Sequence, residues 1–132
     1  MLSSLLAAAC GLLTFAGCAT MKVASRESLL KQAGFQERTP TTAKQKATYA
    51  ALPAYQLHRG TRGGRTIYVY KDEKAGVVYT GNQAQYQQFQ QLAAKAGLKS
   101  EEQMVHEMDK DLIYRWYGSW GTLEEAGAGA TW

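Results

Sequence analysis

Tyr55-Gln56-Leu57-His58-Arg59, Thr66-Ile67-Tyr68-Val69-Tyr70-Lys71 and Val77-Val78-Tyr79-Thr80 are three runs rich in β-branched and aromatic side chains. They are separated by Arg62-Gly63-Gly64-Arg65 and by Asp72-Glu73-Lys74-Ala75-Gly76. A two-residue hydrophobic period between such loops reads as a three-stranded antiparallel meander. Gly63-Gly64 suits a two-residue hairpin turn, which needs positive φ at its centre. With that turn, Leu57 faces Tyr70, His58 faces Val69 and Arg59 faces Tyr68. One sheet face then carries Leu57, Tyr68, Tyr70 and Val78, and the other Ile67, Val69, Val77 and Tyr79. A sheet wet on one side alternates apolar with polar residues more cleanly. Both faces of this one therefore call for cover, by helices or by a partner.

Helical signals flank the meander on both sides. Ser25 caps a first helix that carries Leu29, Leu30 and Ala33 on one face and stops at Gly34, with Phe35 folding back. Thr39-Pro40 opens a second through Ala43, Ala47, Ala50 and Ala51, and Pro53 ends it. These two read as an antiparallel pair. After the strands, Asn82 caps a third helix with Tyr86, Phe89, Leu92 and Ala93 on its apolar face, ended by Gly97. Ser100-Glu101-Glu102-Gln103 is a capping-box pattern that opens a fourth, whose stripe of Met104, Val105, Met108, Leu112 and Ile113 continues to Trp116. The predicted fold class is α+β in the order α-α-β-β-β-α-α.

Working outward to the amino terminus, residues 2–15 are mostly apolar and carry no charged side chain, and Ala16 and Gly17 are small. This is the pattern of an export signal core with a small-residue exit. Phe15-Ala16-Gly17-Cys18 resembles the lipobox of bacterial lipoproteins, with Phe15 where Leu is commoner and no Lys or Arg ahead of the apolar run. The resemblance implies cleavage before Cys18, acylation of its sulfur and of the new amino terminus, and, with Ala19 next, an outer-membrane anchor whose domain faces the periplasm. The chain as a whole resembles the small exported lipoproteins of proteobacteria. Its helix and meander order is also similar in topology to the small outer-membrane assembly lipoprotein fold. The expected organisation is a signal peptide at 1–17, a lipidated tether at 18–25, an α+β domain at 26–121 and a flexible tail at 122–132.

Taking 17 residues from 132 leaves 115, enough for one modest core. On that reading Cys10 is discarded and Cys18 acylated, so no disulfide or thiol chemistry is expected in the folded part. The net charge of +4 then belongs to the mature chain, where a solvated surface or an anionic lipid or wall polymer accounts for it.

Three groups of side chains invite a functional reading. Arg59, Arg62 and Arg65 surround the glycine turn beside Tyr68 and Tyr70, a set of guanidinium forks for phosphates or acidic glycans. The same arginines also protect an exposed hairpin from edge pairing. An RNA-recognition reading fails because Thr66 stands where an aromatic is required and the export signal leads away from nucleic acid. Trp116, Tyr117 and Trp120, with Tyr114, are residue types enriched in interface anchors, and they equally serve to cover a sheet face. His58 and His106 lack an indicated third metal ligand, and Lys110 occupies the position at which a helical zinc motif repeats its histidine. The acids Glu101, Glu102, Glu107, Asp109 and Asp111 suit a charged helix face better than a wall-hydrolase pair. The sequence therefore predicts a non-enzymatic envelope module without cofactor or metal. Its expected partners are the bilayer, through Cys18, and an envelope protein; binding of anionic lipid or wall polymer is the alternative.

Overall fold

The computed structural model describes residues 25–121. The stretches read from sequence as a signal segment (1–17), an attachment residue (Cys18), most of a tether (19–24) and a tail (122–132) lie outside the described residues. The elements run α1 (Arg26–Gln32), β1 (Gln36–Arg38), α2 (Ala43–Ala51), β2 (Leu57–Arg62), β3 (Arg65–Asp72), β4 (Val77–Gly81), α3 (Gln83–Ala96), the single turn α4 (Ser100–Gln103), β5 (Val105–Glu107) and α5 (Lys110–Trp120). The fold is α+β. Its sheet has five strands in the order β1-β4-β3-β2-β5, antiparallel except where β5 runs parallel to β2.

The central hairpin follows directly from its turn. Gly63 and Gly64 adopt φ of 60° and 78°, and Leu57, His58 and Arg59 face Tyr70, Val69 and Tyr68. The second hairpin differs from expectation. Asp72 pairs with Val77, which places Tyr79 opposite Tyr70 and Val78 opposite Lys71. Cross-strand partners share a face. Val77 and Tyr79 therefore join Leu57, Tyr68 and Tyr70, while Val78 joins Ile67 and Val69, the reverse of the assignment made from sequence.

The three-stranded meander is the middle of the sheet, and short strands close both of its edges. At one edge, Gly34 (φ 100°) ends α1 with a paired reversal: its N–H donates to Lys31 O at 3.0 Å and Phe35 N–H donates to Leu30 O at 3.1 Å. The reversal delivers β1 to β4, so a strand separates the two leading helices. At the other edge the expected long helix from Ser100 is broken after one turn. Val105, His106 and Glu107 instead satisfy the open side of β2, opposite Leu57, His58 and Arg59. Met108 N–H extends the pairing to Arg59 O at 2.8 Å, and Asp109 Oδ1 accepts from Leu112 N–H at 2.7 Å to start α5. Ser100 lies inside α4, whose cap position is Lys99, with no side-chain cap bond. The cap of α2 is likewise Thr42, in a reciprocal box with Gln45, rather than Thr39. The order observed is thus not the α-α-β-β-β-α-α on which the topological likeness rested.

Helices cover both sheet faces. Leu29, Leu30, Tyr86, Phe89 and Ala93 of α1 and α3 pack on Leu57, Tyr68, Tyr70 and Tyr79. Leu52, at the end of α2, and Trp116 and Trp120 of α5 pack on Ile67, Val69 and Val78. The two helices expected to pair, α1 and α2, consequently lie on opposite faces, α1 beside α3 and α2 beside α5. Lys71 is buried on the second face. Its ammonium donates to Tyr49 O at 2.8 Å and Leu52 O at 3.0 Å, and lies 4.5 Å from the Tyr49 ring centroid. It thereby donates to carbonyls at the carboxy-terminal end of α2, where Tyr49 O also accepts from Leu52 N–H at 3.2 Å.

Candidate functional site

Strand alternation separates the three arginines of the hairpin. Arg59 shares a face with Tyr68, whereas Arg62 and Arg65, opposite one another in the register, lie on the face of Ile67 and Val69. Arg59 Nε donates to Glu107 Oε2 at 2.7 Å, and its Nη2 reaches the same oxygen. The Arg59 pKa is raised, first by this bond and then by the Tyr68 hydroxyl. The Arg62 guanidinium sits 5.2 Å from the Tyr117 ring centroid and 5.7 Å from that of Tyr114. Cation-π contact of this kind holds the guanidinium plane without consuming its charge.

The carboxy-terminal aromatics divide in the same way. Trp116 and Trp120 are buried, stacked with ring centroids 5.3 Å apart, and form part of the α2/α5 core. The Arg38 guanidinium lies 5.1 Å from the Trp120 ring, and burial lowers its pKa. Tyr117 is half-buried, and Tyr114 is 70% exposed. The indoles are thus cover for the sheet, and the exposed aromatic is Tyr114.

His58 and His106 meet as register partners across β2 and β5, with centroids 5.9 Å apart. Pro53 O lies 3.2 Å from His58 Nε2, and because a carbonyl only accepts, that nitrogen carries the proton. Burial lowers the His58 pKa, and a charge on His106 lowers it further. The pair lines a cleft of about 370 Å³ together with Gln56, Asp109, Asp111 and Arg115. The neighbouring carboxylates are already engaged: Glu107 with Arg59, Asp109 with the cap of α5, and Asp111 with Arg115 at 3.0 Å. Among the described residues no group of three His, Cys, Asp or Glu side chains is placed to hold a metal ion.

No protein family, curated protein or solved structure matches the chain. Its own geometry therefore has to carry the functional reading.

The outer surface of α2 and α5 is the distinctive exposed feature. α2 contains Lys44 and Lys46 and no acid, and α5 presents Lys110 and Arg115 against the single acid Asp111. Lys44, Lys46 and Lys110 form no ion pair with another described residue. Tyr114 stands as a ridge between two depressions. One, of about 270 Å³, is lined by Lys44, Ala47, Arg115 and Gly118; the other, of about 240 Å³, by Thr61, Arg62, Lys110 and Ile113. The first is held in shape by hydroxyls. The Ser119 Oγ lies 2.7 Å from Arg115 O and 3.2 Å from Lys44 O, and it hydrogen-bonds Thr48 Oγ1, tying α5 to α2.

Of the residues singled out from sequence, this surface retains Arg62 and Tyr117, and Arg65 lies on the same side of the hairpin. Arg59, Trp116 and Trp120 lie elsewhere. Lys44, Lys110 and Tyr114 complete the surface. Lys110, Tyr114 and Gly118 follow at four-residue steps, a signal readable once Asp109 is taken as the helix cap.

Proposed function

We propose that the chain is an envelope lipoprotein, cleaved before Cys18 and acylated there, and anchored in the outer membrane with its domain facing the periplasm. The domain is a non-enzymatic binding module. The lipobox-like residues Phe15 to Cys18 support the anchor. No helix among the described residues is long and apolar enough to cross a membrane. The observation that carries the binding reading is the exposed Tyr114 ridge between two cation-lined depressions. An amphipathic ring flanked by the ammonium groups of Lys44 and Lys110, which form no ion pair with another described residue, recognises a partner that combines apolar surface with anionic groups. The other candidate anchors, Trp116 and Trp120, are occupied in the core.

Two measurements test this. Intact mass spectrometry of the protein from bacterial membranes should give residues 18–132 plus the acyl additions. A mature chain that retains residues before Cys18, or has an unmodified sulfur, removes the anchor. A photo-crosslinking amino acid at Tyr114 should capture an envelope component that the same probe on exposed Gln88 of α3 does not. Equal capture from both positions removes the binding face.

A further inference from the structure

We infer that the α2/α5 surface takes the carboxylate-bearing glycan-peptide polymer of the cell wall rather than the bilayer that anchors the chain. This rests on the reading of that surface as the binding face and of Cys18 as the attachment point. The argument is one of placement. Ser25 caps α1, and α1 lies on the sheet face opposite α2 and α5. The seven steps from Cys18 to Ser25 span at most about 3.5 Å each, so about 25 Å in all. Three layers, each about 10 Å thick, put the outer surface of α2 and α5 roughly 30 Å from that of α1. A chain held at Cys18 therefore cannot lay the α2/α5 surface flat on its own membrane, and that basic side is left to a partner other than the bilayer.

Charge and shape fit a wall polymer. Lys44 on one side of Tyr114, beside an Arg115 that is paired with Asp111, and Arg62 with Lys110 on the other, form two separate cationic sockets. A polymer repeating carboxylates between apolar sugar and peptide surfaces supplies both an anion for each socket and a face for the exposed ring between them. Arg62 is already stacked on Tyr114 and Tyr117, which reduces the freedom it loses on binding.

The test is sedimentation of the full-length acylated protein, in mild detergent, with purified wall sacculi. The wild-type protein should co-sediment, weaken at least tenfold when salt rises from about 0.05 to 0.5 M because exposed charges are screened, and release when the sacculus carboxylates are amidated. Lys44→Glu/Lys110→Glu and, separately, Tyr114→Ser should each reduce binding at least fivefold with unchanged circular dichroism and melting temperature, since all three side chains are exposed. Absent sedimentation, indifference to carboxylate amidation, or equal binding by Lys44→Glu/Lys110→Glu overturns the inference. Binding to phosphatidylglycerol vesicles in place of sacculi overturns the wall polymer as occupant. Crosslinks from Tyr114 to another envelope component, without sacculus binding, leave the binding-module reading standing and remove only this inference.

Discussion

Gly81 ends β4 directly beneath the Phe35 ring, and replacing it with alanine is the sharpest available probe of how the β1 edge is assembled. A Cβ at Gly81 would lie 2.7 Å from Phe35 Cζ and 2.8 Å from Cε1 and Cε2. The ring cannot swing clear, because Phe35 is 5% exposed and its backbone is clamped by the reversal at Gly34. Overpacking of a tight core costs about 1–3 kcal/mol, and Gly81→Ala should fall in that range. Phe35→Ala alone should cost about 3–5 kcal/mol through the cavity it leaves. In the Phe35→Ala background the new methyl enters that cavity, so Gly81→Ala should become neutral or stabilising. The double-mutant cycle then gives a coupling of about 1–3 kcal/mol. Urea unfolding followed by tryptophan fluorescence measures all four proteins, and an unchanged m-value marks the shifts as stability rather than denatured-state effects. An equal cost of Gly81→Ala in both backgrounds would refute the ring contact and with it the placement of β1.

Gly60→Ala makes a contrast, because its Cβ would meet Met108 Sδ and Ile113 Cγ1, each at 3.0 Å. The thioether chain of Met108 yields readily and the β-branched Ile113 less so, so the expected cost is about 1 kcal/mol, below that of Gly81→Ala; an unfolding shift larger than that of Gly81→Ala would contradict it. Lys71→Met strips the ammonium from Tyr49 O and Leu52 O and should cost about 2–3 kcal/mol, the scale of lost charge-assisted bonds. Stability equal to wild type would show that the bonds from the ammonium contribute nothing net. The alkaline limit follows from burial, which raises the phenol pKa of Tyr49, Tyr79 and Tyr86 and, together with the bond to Glu27, that of Tyr70. The unfolded chain then loses these protons first, near pH 10, so stability is fully present below that pH and falls as pH rises above it. Urea midpoints at pH 8 and 10.5 measure the loss, and coincident phenolate titration of folded and unfolded chains would rule it out.

What was legible in the sequence depended on how local its determinants are. The Gly63-Gly64 hairpin and α3, with its Asn82 cap and left-handed Gly97, could be read because each is set by residues within a few positions of one another. The second hairpin was not, because a loop of several residues admits either parity, and the pairing of Asp72 with Val77 is settled by packing on both faces. β1 and β5 are three residues long, below the length at which alternation is visible, and both exist because a neighbouring strand offers an open edge. The false start at Ser100 has the same origin. A capping-box pattern there is stronger than Asp109 alone, yet the backbone of Val105 to Glu107 gains more from β2 than from continuing the helix. The site inherited that error, since misplacing the start of α5 hid the stripe of Lys110 and Tyr114.

Helix geometry then separates the roles that a list of carboxy-terminal aromatics merges. From Trp116 the inward side of α5 continues to Leu112 and Trp120 at four-residue steps, and Leu112, Trp116 and Trp120 pack in the sheet cluster. Tyr114 is two residues from Trp116, about 200° around the axis, which places it on the opposite side with Lys110 and Gly118. Two residues that look alike in composition thus belong to different free energies. Removing Trp116 or Trp120 exposes the core and should cost about 3–5 kcal/mol of stability, so lost binding in such a variant would report unfolding. Tyr114→Ser removes a side chain that is 70% exposed and leaves the sheet cover intact. Full binding by a folded Tyr114→Ser protein would mean that the ridge between the two sockets is not where a partner is met.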